Sequence, residues 1–119
     1  MIGLGYSKVK SFDPTDSTGE LVVDSRASLT SIVVHTKGIT TEFAVEPLVF
    51  KDGSTGGDVR YKFQPWCQPD VVSLVRISHL TYQVNMGGAG IIFDDGIYFE
   101  WEAADGDDEG VDNVVLFYM

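Results

Sequence analysis

The chain contains a single cysteine, Cys67, so an intramolecular disulfide is impossible and a disulfide-stapled small fold is excluded. An isolated thiol is compatible with a reducing compartment. No apolar run approaches the roughly 20 residues of a membrane span. Met1–Lys8 has no basic segment followed by an apolar stretch, so no signal peptide is expected. Nothing reads as a long run of Ala, Leu, Glu and Lys with helical period, which removes helical bundles and coiled coils from consideration. Positive charge is missing from the C-terminal quarter: residues 94–119 hold nine acids and no base, and they supply nearly all of the formal net charge of −10. Such a surface repels phosphate backbones and anionic membranes, which argues against nucleic-acid or membrane binding and favours solubility or a basic partner surface.

What the chain has instead is glycine (13 residues), aromatic residues, valine and isoleucine, the composition of strands joined by tight turns. At 119 residues it fits one domain, which buries roughly two-thirds of the surface its unfolded chain exposes. Residues 1–19 are turn-rich, ending in the loop formers Asp13-Pro14-Thr15-Asp16-Ser17-Thr18-Gly19, and read as an N-terminal arm whose Ile2, Leu4 and Tyr6 could pack on a neighbouring subunit. The sandwich domain is expected over 20–119.

Glu20–Val23 suggests a short strand. Leu29–Thr36 suggests a stronger one, with Thr30, Ile32 and Val34 on one face and Ser31, Val33 and His35 on the other. Valine or isoleucine on both faces points to a strand covered on both sides, as in a sandwich interior or a subunit contact. Glu42–Val45 and Leu48–Phe50 are strand-like around Pro47, and Phe50–Phe63 reads as a hairpin across a glycine-rich loop. Pro65-Trp66-Cys67-Gln68-Pro69 reads as a rigid crossing in which Trp66 caps the core or, if exposed, forms a contact site. Val71–Ile77 has the character of a central strand, and Tyr82, Val84 and Met86 alternate with polar residues.

Met86-Gly-Gly-Ala-Gly suits a sandwich corner or a close axial approach. Ile91–Phe93, Asp94-Asp95-Gly96 and Ile97–Trp101 carry the strongest hairpin signal in the chain, with Ile97, Phe99 and Trp101 on one face. After an acidic loop the chain finishes on Val114–Tyr118. About eight strands with turns every 8–12 residues predict an all-β, single-domain antiparallel sandwich or barrel.

Three constellations bear on chemistry. Asp105, Asp107, Asp108, Glu109 and Asp112 offer oxygen ligands suited to calcium, but without the spacing or flanking helices of an EF-hand they read first as a solvated loop. Cys67 with His35 or His79 could form a nucleophile–base pair, but no family signature surrounds it, and His35 on its strand reads as a hydrogen-bonded structural histidine. Glu100 and Glu102 lie two apart on one strand face, roughly 7 Å between Cα atoms, within range for paired carboxylates. None of the three has an enzyme's specificity, so no catalytic residue, cofactor or dedicated metal site is assigned.

The succession of a strand, Val49-Phe50-Lys51-Asp52-Gly53-Ser54-Thr55-Gly56-Gly57, another strand, a glycine-rich step into Gly90-Ile91-Ile92-Phe93-Asp94-Asp95-Gly96-Ile97-Tyr98-Phe99, and a final Val-Val-Leu-Phe-Tyr strand resembles small virion proteins of tailed bacteriophages. The resemblance covers roughly residues 29–119 and rests on turn-and-strand patterns. It implies a jelly-roll-like sandwich, a non-enzymatic role as a capsid decoration (cement) or other accessory subunit of the virion, association with the major capsid protein, and often a trimer. On this view Ile2, Leu4, Tyr6 and Trp66 are the candidate partner contacts. The rival expectation is a carbohydrate- or receptor-binding sandwich of a tail or fibre, which would display Trp66, Tyr82, Tyr98 or Trp101.

Overall fold

Two antiparallel sheets face each other across a shared apolar layer. The structure is a computed structural model and describes residues 8–14, 19–36, 47–64, 81–101 and 111–119. Its strands are β1 (Lys8–Phe12), β2 (Gly19–Val23), β3 (Ala27–Thr36), β4 (Leu48–Asp52), β5 (Val59–Phe63), β6 (Thr81–Asn85), β7 (Ile91–Phe93), β8 (Ile97–Glu100) and β9 (Val111–Tyr118). One sheet runs β1-β9-β3-β6, with β7 also on β3; the other runs β2-β8-β4-β5.

β6 and β7 pair with successive stretches of the same edge of β3, Ser31–His35 and Ala27–Leu29, and so act as two halves of one interrupted strand. Counted that way, the first strand pairs with the last (β1 with β9), the second with the last but one (β2 with β8), the third with β6 and β7, and β4 with β5. The chain is one long antiparallel ribbon, rolled so that β3 also meets β9 and β4 also meets β8. That is the jelly-roll order, a double sheet of eight strands.

The inner layer follows from period-two alternation. Ile97, Phe99 and Trp101 all point inward and are fully buried, as are Leu48 and Phe50 from β4, Phe93 from β7, and Val114 and Leu116 from β9. Burying each large side chain stabilises the fold by roughly 1.5–3 kcal/mol. Phe99 ties the layer together, its ring centroid 4.9 Å from Phe12 of the opposite sheet and 5.5 Å from Phe50 beside it. Near the other margin, Phe63 of β5 and Tyr82 of β6 meet edge to face at 5.4 Å across the two sheets.

β3 does not alternate evenly. Ala27 and Leu29 are buried, then Ile32, Val34 and Thr36, so the inward phase shifts by one residue at Thr30–Ser31. The register with β9 slips at the same place, between Leu29↔Tyr118 and Ser31↔Phe117, which is a β-bulge. On the other edge of β3 the segment Met86 to Gly90 bows out opposite Thr30, whose carbonyl accepts a hydrogen bond from the Met86 amide at 2.9 Å.

Three expectations from sequence are corrected here. Asp94-Asp95-Gly96 is not a hairpin turn: β7 lies in one sheet and β8 in the other, so the step carries the chain between sheets. Its neighbour is the crossing Asp24-Ser25-Arg26 from β2 to β3, which runs antiparallel to it, because β2 pairs with β8 and β3 with β7. Met86–Gly90 is accordingly not a corner but an interruption within one sheet edge. Lys8–Phe12, read as part of an arm, is a full member of the first sheet. Phe50–Phe63 does form the expected hairpin.

Candidate functional site

The register places the outward side chains of the β1-β9-β3-β6 sheet in rows. Nearest the corner stand Met119, Ser28 and Ile92; next come Val9, Phe117, Ser31 and Asn85; then Ser11, Val115, Val33 and Gln83; and last Asn113, His35 and Thr81. Among these described residues there is no Asp, Glu, Lys or Arg, in a chain that is 22% charged. Val9, Phe117, Val115 and Val33 form a continuous apolar stripe across three strands, and Val9, Ile92 and Met119 are exposed. Charges frame the face: Asp13 and Asp112 lie exposed beyond one end, and Arg26 and Asp94 form a 2.7 Å ion pair at the corner end.

The opposite sheet presents a different outer surface. There Tyr98 lies between Leu21 and Lys51, and Val49 between Glu100 and Lys62. Lys51 Nζ donates to Glu100 Oε1 at 3.2 Å and to the Thr55 carbonyl at 2.9 Å, while the Thr55 hydroxyl donates to Glu100 Oε1 at 2.9 Å. Glu100 is thereby committed to a lysine and a hydroxyl on its own sheet face. Glu102, its proposed partner, lies outside the described residues.

A second charged cluster locks the corner. Arg60 Nη2 donates to Asp52 Oδ2 at 3.0 Å and to Asp94 Oδ2 at 3.4 Å, and the Asp95 amide donates to Asp52 Oδ1 at 2.8 Å. The Asp95 amide foremost, with the Arg60 guanidinium, holds the Asp52 carboxyl below its ordinary value against the opposing effect of desolvation. The Asp52 carboxylate in turn raises the Arg60 guanidinium above its ordinary value. Burial raises the Tyr61 hydroxyl. Asp52, Arg60, Asp94 and the Asp95 amide are joined to one another and span the point where the ribbon changes sheets, which makes them a structural clasp.

The other residues singled out from sequence fall as follows. His35 Nδ1 lies 3.1 Å from Thr81 Oγ1, the hydrogen-bonded structural role expected of it. Trp101 is fully buried and Tyr82 packs on Phe63, so neither is displayed for stacking on a ligand; Tyr98 is half-buried. Asp112 is exposed on β9. Ile2, Leu4, Tyr6, Trp66, Cys67, His79, Asp105, Asp107, Asp108 and Glu109 lie outside the described residues, as do the expected strands at Glu42–Val45 and Val71–Ile77. Among the described residues, no three His, Cys, Asp or Glu side chains cluster as a metal site.

A groove of about 470 Å³ opens between β1 and β2, where Lys8, Lys10, Asp24, Ser25 and Tyr118 line it. Lys8 and Lys10 sit opposite Tyr118 and Leu116 and so belong to the inward-facing rows at the sheet margin, a placement that discourages edge-to-edge pairing of strands. No protein-family model, curated protein or solved structure matches the chain. The uncharged outer sheet face is therefore the candidate site, on geometry alone. Its signals in sequence were the unbroken apolar run Val114–Tyr118 and the valine on each face of β3; Val9 lacked one, because lysines flank it.

Proposed function

We propose that this chain is a non-enzymatic structural subunit of a virus particle, of the capsid decoration type, which binds the outside of a phage head as an oligomer and stabilises it. The observation that carries the reading is the uncharged, apolar-striped outer face of the β1-β9-β3-β6 sheet on a chain of net charge −10. An apolar patch rimmed by polar residues marks a protein interaction surface. The jelly-roll order supports the reading, since that architecture recurs in capsid and lectin domains, and so does the likeness of its turn-and-strand pattern to small phage virion proteins. The Lys51–Thr55–Glu100 contacts favour a structural role for Glu100 over an acid–base one. A carbohydrate-binding role is less well supported, because Trp101 and Tyr82 face the interior.

The test is to mix the purified chain with expanded phage heads. Co-sedimentation together with a raised temperature of head disruption is the expected result. Failure to bind heads, combined with binding on a glycan array, would overturn the reading in favour of the lectin-like alternative.

A further inference from the structure

We propose that two copies of this chain stack face to face through the outer surface of the β1-β9-β3-β6 sheet; this rests on the reading of that surface as an assembly face. Three observations select a second copy as the occupant. The first is charge. Two molecules of net charge −10 repel, and contact through the β2-β8-β4-β5 sheet would also strip Lys51, Lys62 and Glu100 of water. Contact through the β1-β9-β3-β6 sheet brings together valine, isoleucine, phenylalanine, methionine, serine, threonine, asparagine, glutamine and His35, with no Asp, Glu, Lys or Arg. The framing charges at Asp13, Asp112 and the Arg26–Asp94 pair stay at the rim, in water, where salt screens them over about 8 Å.

The second observation is the distribution of apolar surface. Val115 and Val33 are direct cross-strand neighbours in the middle of the face, and Phe117 and Val9 form the adjoining pair. Val9 is 57% exposed on β1, apolar surface that contact with a second copy would take out of water. A central apolar stripe with an uncharged polar surround can meet itself about a two-fold axis, the isologous arrangement most common among homo-oligomers.

The third is area. Four strands about 4.8 Å apart, with a rise of about 3.3 Å per residue over β3 and β9, give a footprint on the order of 600 Å² per copy. The two copies together bury roughly 1,200 Å², the lower end of what a specific, stable interface needs. The sheets would pack about 10 Å apart, as the two inner faces of a sandwich do.

Sedimentation equilibrium of the full chain is expected to report twice the 13.0 kDa chain mass. Val115→Lys places a charge at the centre of the face, and Gln83→Lys places one at an exposed polar position that the core does not use. Each is expected to weaken the dimer at least tenfold, with Gln83→Lys retaining the wild-type circular dichroism and melting curve. Lys62→Glu, on the other sheet, is expected to leave the dimer intact. A wild-type monomer at high micromolar concentration, a trimer, or an oligomer indifferent to both lysine substitutions would overturn the proposal. Head binding is read separately: a dimer that ignores phage heads sinks the functional reading alone, and a monomer that binds them sinks this proposal alone.

Discussion

Gly96 and Gly88 lie on the same stretch of chain, both with positive φ, yet their surroundings are opposite. At Gly96, φ is +114°, and a Cβ would stand 2.3 Å from the Val23 carbonyl oxygen and 3.3 Å from Leu21 Cδ1. At Gly88, φ is +53° and nothing lies within 4 Å of where a Cβ would be. Gly96 ends the crossing between sheets, where two bent strands press against each other and the Gly53 amide donates to the Gly96 carbonyl at 2.9 Å. Gly88 belongs to the interruption in one sheet edge, where the chain bows into open space. The same residue type thus serves close backbone approach in one place and only a turn in the other.

The comparison is broken most severely at the crossing. Gly96→Val combines a disallowed backbone conformation with a collision against backbone that has no free end to move. Such strain costs several kcal/mol, here roughly 3 kcal/mol or more. Urea unfolding is expected to show that loss as a lowered midpoint with an unchanged slope. A midpoint within experimental error of wild type would mean that the two bent strands do not approach as described.

A smaller effect is expected from the clasp that holds the same crossing. Asp52 is more readily ionised in the folded chain than in the unfolded one, because the Asp95 amide and Arg60 favour its charged form. Its contribution is present in full above the unfolded value, near pH 4, and is lost as pH falls through the lower folded value. Asp52→Asn is expected to lower stability at neutral pH and to flatten the acid limb below about pH 4. Superimposable acid limbs for wild type and variant would show that Asp52 is not coupled to folding through this clasp.

What sequence made legible and what it did not divide along the same line, between local pattern and long-range pairing. Alternation identified the inward set Ile97, Phe99 and Trp101 and separated Ile32 and Val34 from Ser31, Val33 and His35, because side-chain direction is a property of one strand. Thr30, assigned to the face of Ile32 and Val34, is not in the core with them, because the bulge shifts the inward phase there. An Asp-Gly step between apolar runs is also a local signal, and here it misled. β8 is held by β2 and β4 rather than by β7, so long-range pairing overrode the local turn preference. β1 escaped notice because Lys8 and Lys10 occupy its inward-facing rows at the sheet margin, which inverts the usual pattern. The candidate face was half visible: Val33, Val115 and Phe117 could be read as a second apolar set, but only the register aligns them with Val9 and shows that no charge lies among them.

The smallest effect sharpens the comparison from the other side. Gly88→Ala faces no collision, so only the left-handed backbone preference opposes it, about 1–2 kcal/mol for a residue with a Cβ. The unfolded chain simultaneously loses freedom, which returns roughly 0.4–1 kcal/mol. The net change is expected to be about 1 kcal/mol or less, and Gly88→Asn should cost less still because asparagine tolerates this conformation. Since Gly88 and Gly96 share no neighbour, the double substitution Gly88→Ala with Gly96→Val should unfold at a midpoint set by the sum of the two losses. A loss at Gly88 comparable to that at Gly96, or a double variant far from additive, would mean that the Met86–Gly90 segment packs against the body of the domain instead of standing clear of it.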